Sequence, residues 1–421
     1  MQVASRLPST WSWLPPETTS DASVIVVARG VRAFADGFVS VLLPVYLLDV
    51  GLDALQIGSV ATATLVGSAA LTLVVGLIAH RFPTRRLLIS GALLMAATGA
   101  AFSLVHDYWP LMLVAFVGTL NPSSGDVSVF LPLEQAVLPR TVSARERTSL
   151  FARYSVVGSL LGALGALSAG VPYLIATRVG WPEMQLVRGM FGLYAVLALV
   201  AALLYRRLSP AMEDPRPTRA VLRDSRRLVY LLAVLFSLDA FGGGLIVQSL
   251  LAFWLFQRFD LSIVTAGTIF FWTGVLSAGS YLVAARLARR FGLVNTMVFS
   301  HLPSNVLLML VPFMPDLPLA IVLLLARSLL SQMDVPARNS YVMAVVPAAE
   351  RPAAASVTSV PRSLAAAAGP LVAGSLLAVS TFGWPLLLAG ALKATYDLLL
   401  LGLCARVPPP EEIVERRPLG P

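Results

Sequence analysis

The chain has 421 residues, 57% of them hydrophobic and 13% charged, with a mean hydropathy of +0.80. A soluble domain keeps roughly 25% charged residues, so this composition excludes a chain that faces water all round. The single Cys404 excludes an intrachain disulfide and a thiolate metal cluster.

Residues 1–22 lack the apolar core of a cleavable signal and are expected to form a cytoplasmic tail. Apolar runs of about 20 residues, enough to cross the hydrocarbon core as a helix, then follow one another along the chain. They predict twelve spans: 23–48, 55–79, 86–105, 109–138, 148–176 and 184–205, then 228–256, 262–286, 293–314, 318–346, 353–380 and 383–405. The expected organisation is an N-terminal six-helix bundle (23–205), a basic cytoplasmic linker (206–227), a C-terminal six-helix bundle (228–405) and a cytoplasmic tail (406–421).

Arginines gather on one side. Arg81, Arg85 and Arg86 follow span 2, Arg206, Arg207, Arg223, Arg226 and Arg227 follow span 6, and Arg286, Arg289 and Arg290 follow span 8, whereas the opposite loops offer Arg178 and Arg258. Positive charge stays cytoplasmic, which predicts both termini inside. The charge of +9 and pI near 10.2 thus need no nucleic-acid partner.

The chain matches itself at a nearly constant offset. Arg81-Phe82 recurs as Arg290-Phe291 (shift 209), Asp126 as Asp334 (208), Pro139 as Pro347 (208), Gly165 as Gly369 (204) and Gly180-Trp181-Pro182 as Gly383-Trp384-Pro385 (203). Two parallel six-span halves are the duplicated plan of the major facilitator superfamily, and the loop after span 2 carries a resemblance to that family. Gly76, His80, Arg81, Arg85 and Arg86 look like its signature of Gly, Asp-Arg and Gly-Arg-Arg/Lys, with a second copy at Arg289, Arg290 and Gly292. His80 and Arg289 replace the usual Asp and Pro83 a Gly, so the cytoplasmic latch that the resemblance implies is altered here. Gly369-Pro370-x-x-x-Gly374 resembles part of the family's antiporter signature, but on span 11 instead of span 5. The implied fold is an all-α membrane protein with twelve transmembrane helices in two pseudo-symmetric bundles.

A charge at mid-membrane costs at least ~2.5–3.5 kcal/mol on insertion scales, so such residues should face the interior and find partners. Asp36, Asp126, Asp239 and Arg362 fall near the middle of their spans by residue count, while Arg29, Arg32, Glu134, Arg153 and Arg338 lie toward the cytoplasm. Arg327, Ser331, Asp334, Arg338 and Tyr341 are spaced 4, 3, 4 and 3, which predicts an unbroken polar stripe on span 10. Asp36, Asp126, Asp239 and Asp334 are candidate proton carriers. Arg29, Arg32, Glu134, Arg153, Gln248, Arg327, Arg338 and Arg362 are candidates for solute binding, or for a gate of ion pairs across the halves. Fixed structural pairs are the competing reading for spans 4 and 10, and Lys393 with Asp397, four apart, reads as a local pair. In span 4, Asn121-Pro122-Ser123-Ser124-Gly125 predicts a bend or partial unwinding; a packing kink is its alternative.

The reading is a secondary transporter of the plasma membrane, acting as a monomer, that moves a small anionic or amphipathic solute by alternating access. The resemblance adds protons as the coupling ion. Proton-linked multidrug efflux is the alternative within transport, and a non-transporting sensor or scaffold the alternative of another class. His80, His106 and His301 fall at separate loop or helix-end positions, so no zinc or Ser-His-Asp arrangement emerges; no enzyme, cofactor or metal is expected, and without a Gly-x4-Gly-Lys-Ser/Thr loop no ATP-driven pump.

Overall fold

The computed structural model describes residues 18–78, 81–123, 128–138, 141–142, 147–209, 222–347 and 350–404. They contain no strand, and ten helices among them are long and apolar enough to cross a membrane. The first half runs α1 (Ser20–Asp49), α2 (Ala54–Ile78), α3 (Thr84–Leu104), α4 (Tyr108–Val117), α5 (Phe130–Val137), α6 (Arg147–Ser168), α7 (Val171–Val179) and α8 (Glu183–Tyr205). The second runs α9 (Arg226–Gly244), α10 (Gln248–Phe259), α11 (Ile263–Phe291), α12 (Leu293–Leu310), α13 (Leu317–Ser328), α14 (Asp334–Val345), α15 (Arg351–Val379) and α16 (Trp384–Cys404).

Spans 4, 5, 7 and 10 each divide between two helices, and the breaks in spans 4 and 10 are equivalents in the repeat. Span 4 is divided between α4 and α5, and span 10 between α13 and α14. In span 4 the helix stops at Gly118, just before Asn121-Pro122, where the proline ring disfavours helical geometry in the preceding residue and supplies no N–H. Backbone groups freed at that depth need partners inside the protein. The Thr119 N–H donates to Thr98 Oγ1 (3.3 Å), the Tyr194 hydroxyl to the Thr119 carbonyl (3.3 Å), and the Ser249 N–H to the Pro122 carbonyl (3.0 Å). In span 10 the chain leaves the helix over 329–333, and α14 restarts with Asp334 and Pro336 in its first turn, where a missing N–H costs little. The expected unbroken stripe from Arg327 to Tyr341 is therefore corrected: Arg327 and Asp334 stand on different helices.

By packing, the chain forms two compact units. One takes the described residues to 217 together with 248–275; the other takes those in 218–247 and from 276 onward. The units thus depart from the sequence halves at span 7, where α9 ends in Gly242-Gly243-Gly244 and α10 joins the first unit. There α10 packs on α1, with Gln248 Nε2 donating to Ser40 Oγ at 2.8 Å.

Within the first unit α1 packs on α6 and α8; within the second, α9 packs on α15 and α16. Both close approaches depend on glycine. A Cβ on Gly37 would overlap the Gly162 carbonyl and one on Gly165 the Phe34 carbonyl; a Cβ on Gly244 would overlap the Ala366 carbonyl and one on Gly369 the Gly244 backbone. Gly37 and Gly244 are thus equivalents at a shift of 207, and small residues at a helix seam let backbones meet where water exclusion gives no driving force.

Outside the membrane spans, Glu350 fastens the start of α9 to the start of α15. Its carboxylate accepts from Ser225 Oγ (2.5 Å) and from the backbone N–H groups of Asp224 (2.9 Å), Arg223 (3.1 Å) and Ser225 (3.2 Å). The Ser225 hydroxyl and then the Asp224 N–H do most to lower its pKa from 4.5 to about 2.

Two expectations follow for protein in detergent. Gly37→Ala and Gly244→Ala should each lower the thermal midpoint, because overpacking costs about 1–3 kcal/mol, whereas Gly189→Ala, whose Cβ meets nothing within 4 Å, should not. Since Glu350 has a depressed folded pKa, the stability it supplies is full above its unfolded value and fades as pH falls toward about 2. The midpoint difference between wild type and Glu350→Gln should accordingly be largest near neutral pH and shrink in acid; a pH-independent difference would contradict the assignment.

Candidate functional site

In the first unit, α1 runs through the bundle and buries Arg29, Arg32 and Asp36. Their spacings of three and four place them along one helix face. Arg32 Nη2 donates to Glu134 Oε2 at 2.6 Å and its Nε to the Tyr205 hydroxyl at 3.0 Å. Glu134, fully buried, also accepts from Tyr205 (2.5 Å) and Tyr154 (2.5 Å). The Arg32 guanidinium lies 4.0 Å from the centroid of the Phe130 ring, and Arg29 lies over Tyr154 at 5.5 Å. A charge pair enclosed by two hydroxyl donors and an aromatic face is a satisfied buried network. Asp36 accepts from the Tyr194 hydroxyl at 3.4 Å. Arg153 is partly buried on α6, and Gln248 sits beside Ser40. Asp126 lies outside the described residues.

The second unit holds the denser cluster. Asp239 on α9 accepts from Lys393 Nζ at 2.6 Å and from Arg338 Nη1 at 3.0 Å, and Arg338 also reaches Asp334 at 3.2 Å. The Arg338 guanidinium lies 5.6 Å from the centroid of the Phe236 ring. His301 on α12 stands between two carboxylates: Nδ1 is 2.9 Å and 3.1 Å from the two oxygens of Asp397, and Nε2 is 3.8 Å from Asp239 Oδ1. Asn305, one turn along α12, donates to Asp397 Oδ2 at 2.9 Å. All of these residues are buried. Arg362 on α15 is exposed and lies within electrostatic reach of Arg338, Asp239 and Asp334.

Three expectations are corrected. Lys393 and Asp397 do not form a local pair: Lys393 turns to Asp239 and Asp397 to His301 and Asn305. His301 is not at a helix end but buried within α12. Asp239 and Arg338, assigned to different depths by residue count, are in direct contact, because counting inward from span ends ignores the break in span 10. The partners of Arg32 and Glu134 lie inside the first unit, and those of Arg338 inside the second.

Sequence reasoning passed over Tyr194 and Tyr205, which are eleven residues apart, about three helical turns, and therefore share a face of α8. It also passed over His301 with Asn305 and Lys393 with Asp397 as facing pairs, each four apart, on α12 and α16, which pack together.

Of the loop motif, Arg81 is exposed, and Arg85 and Arg86 start α3 and line a groove of about 710 Å³ with Pro83, Ile89, Leu199 and Arg206. That groove is remote in sequence from the buried charges and contains none of them. Gly76 has open space where a Cβ would stand; Arg290 is exposed; Gly292 takes φ +85 before α12, which favours glycine. His80 and the side chain of Arg289 lie outside the described residues.

The family model described as Major Facilitator Superfamily matches residues 25–331. An uncharacterized membrane protein of Saccharomyces cerevisiae is 24% identical, over 92% of this chain and 95% of its own length. Among solved structures, a D-xylose–proton symporter superposes with a TM-score of 0.69 at 14% identity, covering 90% of this chain and 97% of that one. The nucleoside transporter NupG gives 0.66 at 13%, covering 91% and 99%. The human organic anion transporter MFSD10 gives 0.63 at 19%, covering 90% and 98%. At these identities the structural likeness shows the fold alone.

The Arg32–Glu134 pair makes its own prediction. Removing one member of a buried pair costs about 3–5 kcal/mol, while an apolar replacement of both is often neutral. Arg32→Met and Glu134→Leu should each lower the thermal midpoint strongly and the double variant should recover most of it; simple additivity in that cycle would show that the two charges are independent.

Proposed function

This chain belongs to the Major Facilitator Superfamily, and we propose that it carries a small organic anion across the plasma membrane, coupled to protons, by moving its two units between inward- and outward-open states. It is a multi-pass transporter rather than an enzyme. The cytoplasmic placement of both termini, the monomer as working unit and the solute's chemistry are part of the proposal, and they rest on the arginine distribution and the buried charges.

Arg362 carries the anion assignment. It stands about sixteen ångströms from the start of α15 at 1.5 Å per residue, near the middle of a 29-residue helix, and it is exposed. A guanidinium at that depth is too costly to leave against lipid, so it faces the wet interior of the transport path. A fixed cation there attracts an anionic solute, which makes an organic anion the best fit among the three solute classes that the structural neighbours' names print. Arg327, Arg29 and Arg153 add positive charge on other helices.

Among the carboxylates, Asp239 and Asp334 are engaged by Arg338, and Asp239 by Lys393 as well, which favours them as fixed anions over proton carriers. Asp36, which accepts from Tyr194, and Asp126, by its place in the sequence, stay the proposed carboxyl carriers.

The test is uptake into proteoliposomes with an imposed pH gradient, with radiolabelled organic anions, nucleosides and pentoses offered in parallel. An organic anion should move fastest, in proportion to the gradient. Arg362→Gln should cut its flux at least tenfold through a higher KM, and Arg362→Lys should restore part of it. Organic-anion flux unchanged in Arg362→Gln, or a neutral sugar moving faster than every anion in wild type, would defeat the anion assignment.

A further inference from the structure

We infer that His301, held between Asp397 and Asp239, is the group that takes up and releases the coupling proton, and that an anion at Arg362 promotes the uptake. The inference rests on the transport reading above and assigns its proton to a residue that the carboxylate candidates do not include.

The geometry begins at Nδ1. Two carboxylate oxygens of Asp397 lie within 3.1 Å of it, so a lone pair at Nδ1 would face negative charge, whereas an N–H there donates. Asn305 holds Asp397 in place, its amide donating to Oδ2 at 2.9 Å; the same amide nitrogen lies 3.2 Å from Nδ1, a longer approach than either carboxylate oxygen makes, and an Nδ1–H does not accept from it. With Nδ1 carrying a proton, a neutral imidazole keeps its lone pair on Nε2, and Nε2 is the atom that faces Asp239 at 3.8 Å. Proton uptake forms an N–H bond at Nε2 and turns the ring into an imidazolium between two carboxylates. Release breaks that bond and returns the proton to water, with no change in electrons.

The charges around the ring determine what drives uptake. On α9 stands Asp239; on α14, Asp334 and Arg338; on α16, Lys393 and Asp397, with the Tyr396 ring 6.1 Å from His301; on α15, Arg362. Arg327 on α13 approaches α12 through its carbonyl, which accepts weakly from Ser304 at 3.4 Å. With a neutral imidazole, three carboxylates face the three cations Arg338, Lys393 and Arg362, and the cluster is balanced. An anionic solute that neutralises Arg362 leaves one negative charge uncompensated in a buried site, and a proton on His301 restores the balance. Linkage makes the effect reciprocal: the protonated ring strengthens the anion's binding. Proton and anion are then carried together, as a symport. Gly369, within the antiporter-like segment, is already accounted for by its close contact with Gly244.

Histidine-selective ¹⁵N NMR of the full chain in nanodiscs reads the ring directly, because the chain has 3 histidines and the His301 signal is the one lost in His301→Gln. The protonation state of the ring is followed by its nitrogen shifts from about pH 5 to pH 9. Arg362→Gln, which imitates a neutralised Arg362, should raise its proton affinity about tenfold or more. Arg362→Lys should leave the affinity near wild type, and Asp397→Asn should lower it. A ring that keeps one protonation state over that range, or a midpoint indifferent to Arg362→Gln, overturns the inference. Proton-driven flux of the best organic anion at wild-type rate in His301→Gln overturns it too, while leaving the transport reading intact. A ring that titrates and responds to Arg362→Gln in a chain that moves no solute upholds the site and defeats the transport reading instead.

Discussion

Hydrocarbon offers no partner to a charge or an open backbone group, and most of what is particular to this chain follows from where those partners are found. The break in span 4 is tolerable because Thr98, Tyr194 and Ser249 meet the backbone that it releases. Arg32 is tolerable because Glu134, Tyr205 and Phe130 surround it. Asp239 is tolerable because Lys393 and Arg338 do the same. The buried pairs of Arg32 with Glu134 and of Asp239 with Arg338 and Lys393 each join different helices, so these charge networks also tie particular helices together.

The two halves share that solution with its signs reversed. The glycine contacts set a shift of 207 between α1 and α9, taking Gly37 to Gly244; the same shift takes Arg32 to Asp239. A cation at this register in the first unit pairs with an acid on the lower segment of broken span 4, and an acid at this register in the second pairs with a cation on the equivalent segment of broken span 10. The duplication therefore preserves a place for a buried charge pair and leaves its polarity free. What has no counterpart is the charge in the second layer around Asp239, His301 on α12 and Lys393 and Asp397 on α16; α8 brings hydroxyls to the first pair instead. The repeat puts Tyr194 opposite Asp397, at a shift of 203, so a hydroxyl stands where the other half carries a carboxylate.

The fold was legible in the sequence because its signals are long-range averages: apolar length, arginine sidedness and the ordered self-match over the whole chain. The unwinding of span 4 was legible at Asn121-Pro122, since a ring without an N–H acts locally. The break in span 10 was not, because Pro336 sits after it, inside the first turn of the next helix, and reads as a kink within one long stripe. Arg32 and Glu134 were found as buried charges, but their mutual contact joins residues on separate helices, which no spacing rule reaches. Lys393 and Asp397 misled for the same reason: four-residue spacing permits a contact within α16, and the stronger attractions came from α9 and α12. His301 was set aside as a residue near a helix end, although the run containing it begins at 293 and so buries it by more than two turns.

Span 7 is covalently part of the second half while α10 packs with the first unit, and this has a bearing on how the protein is made. A ribosome releases α1 to α8 well before residues 248–275, so the first unit emerges with the face of α1 that meets α10 still uncovered. Gln248 and Ser249 provide partners for Ser40 and the Pro122 carbonyl only after the linker and α9 have entered the membrane. Domain-by-domain maturation during synthesis, the usual course for a chain of this size, is closed to it. Until α10 arrives, water or the insertion machinery must meet the Pro122 carbonyl of span 4, and the first unit is completed only as the second half enters the membrane.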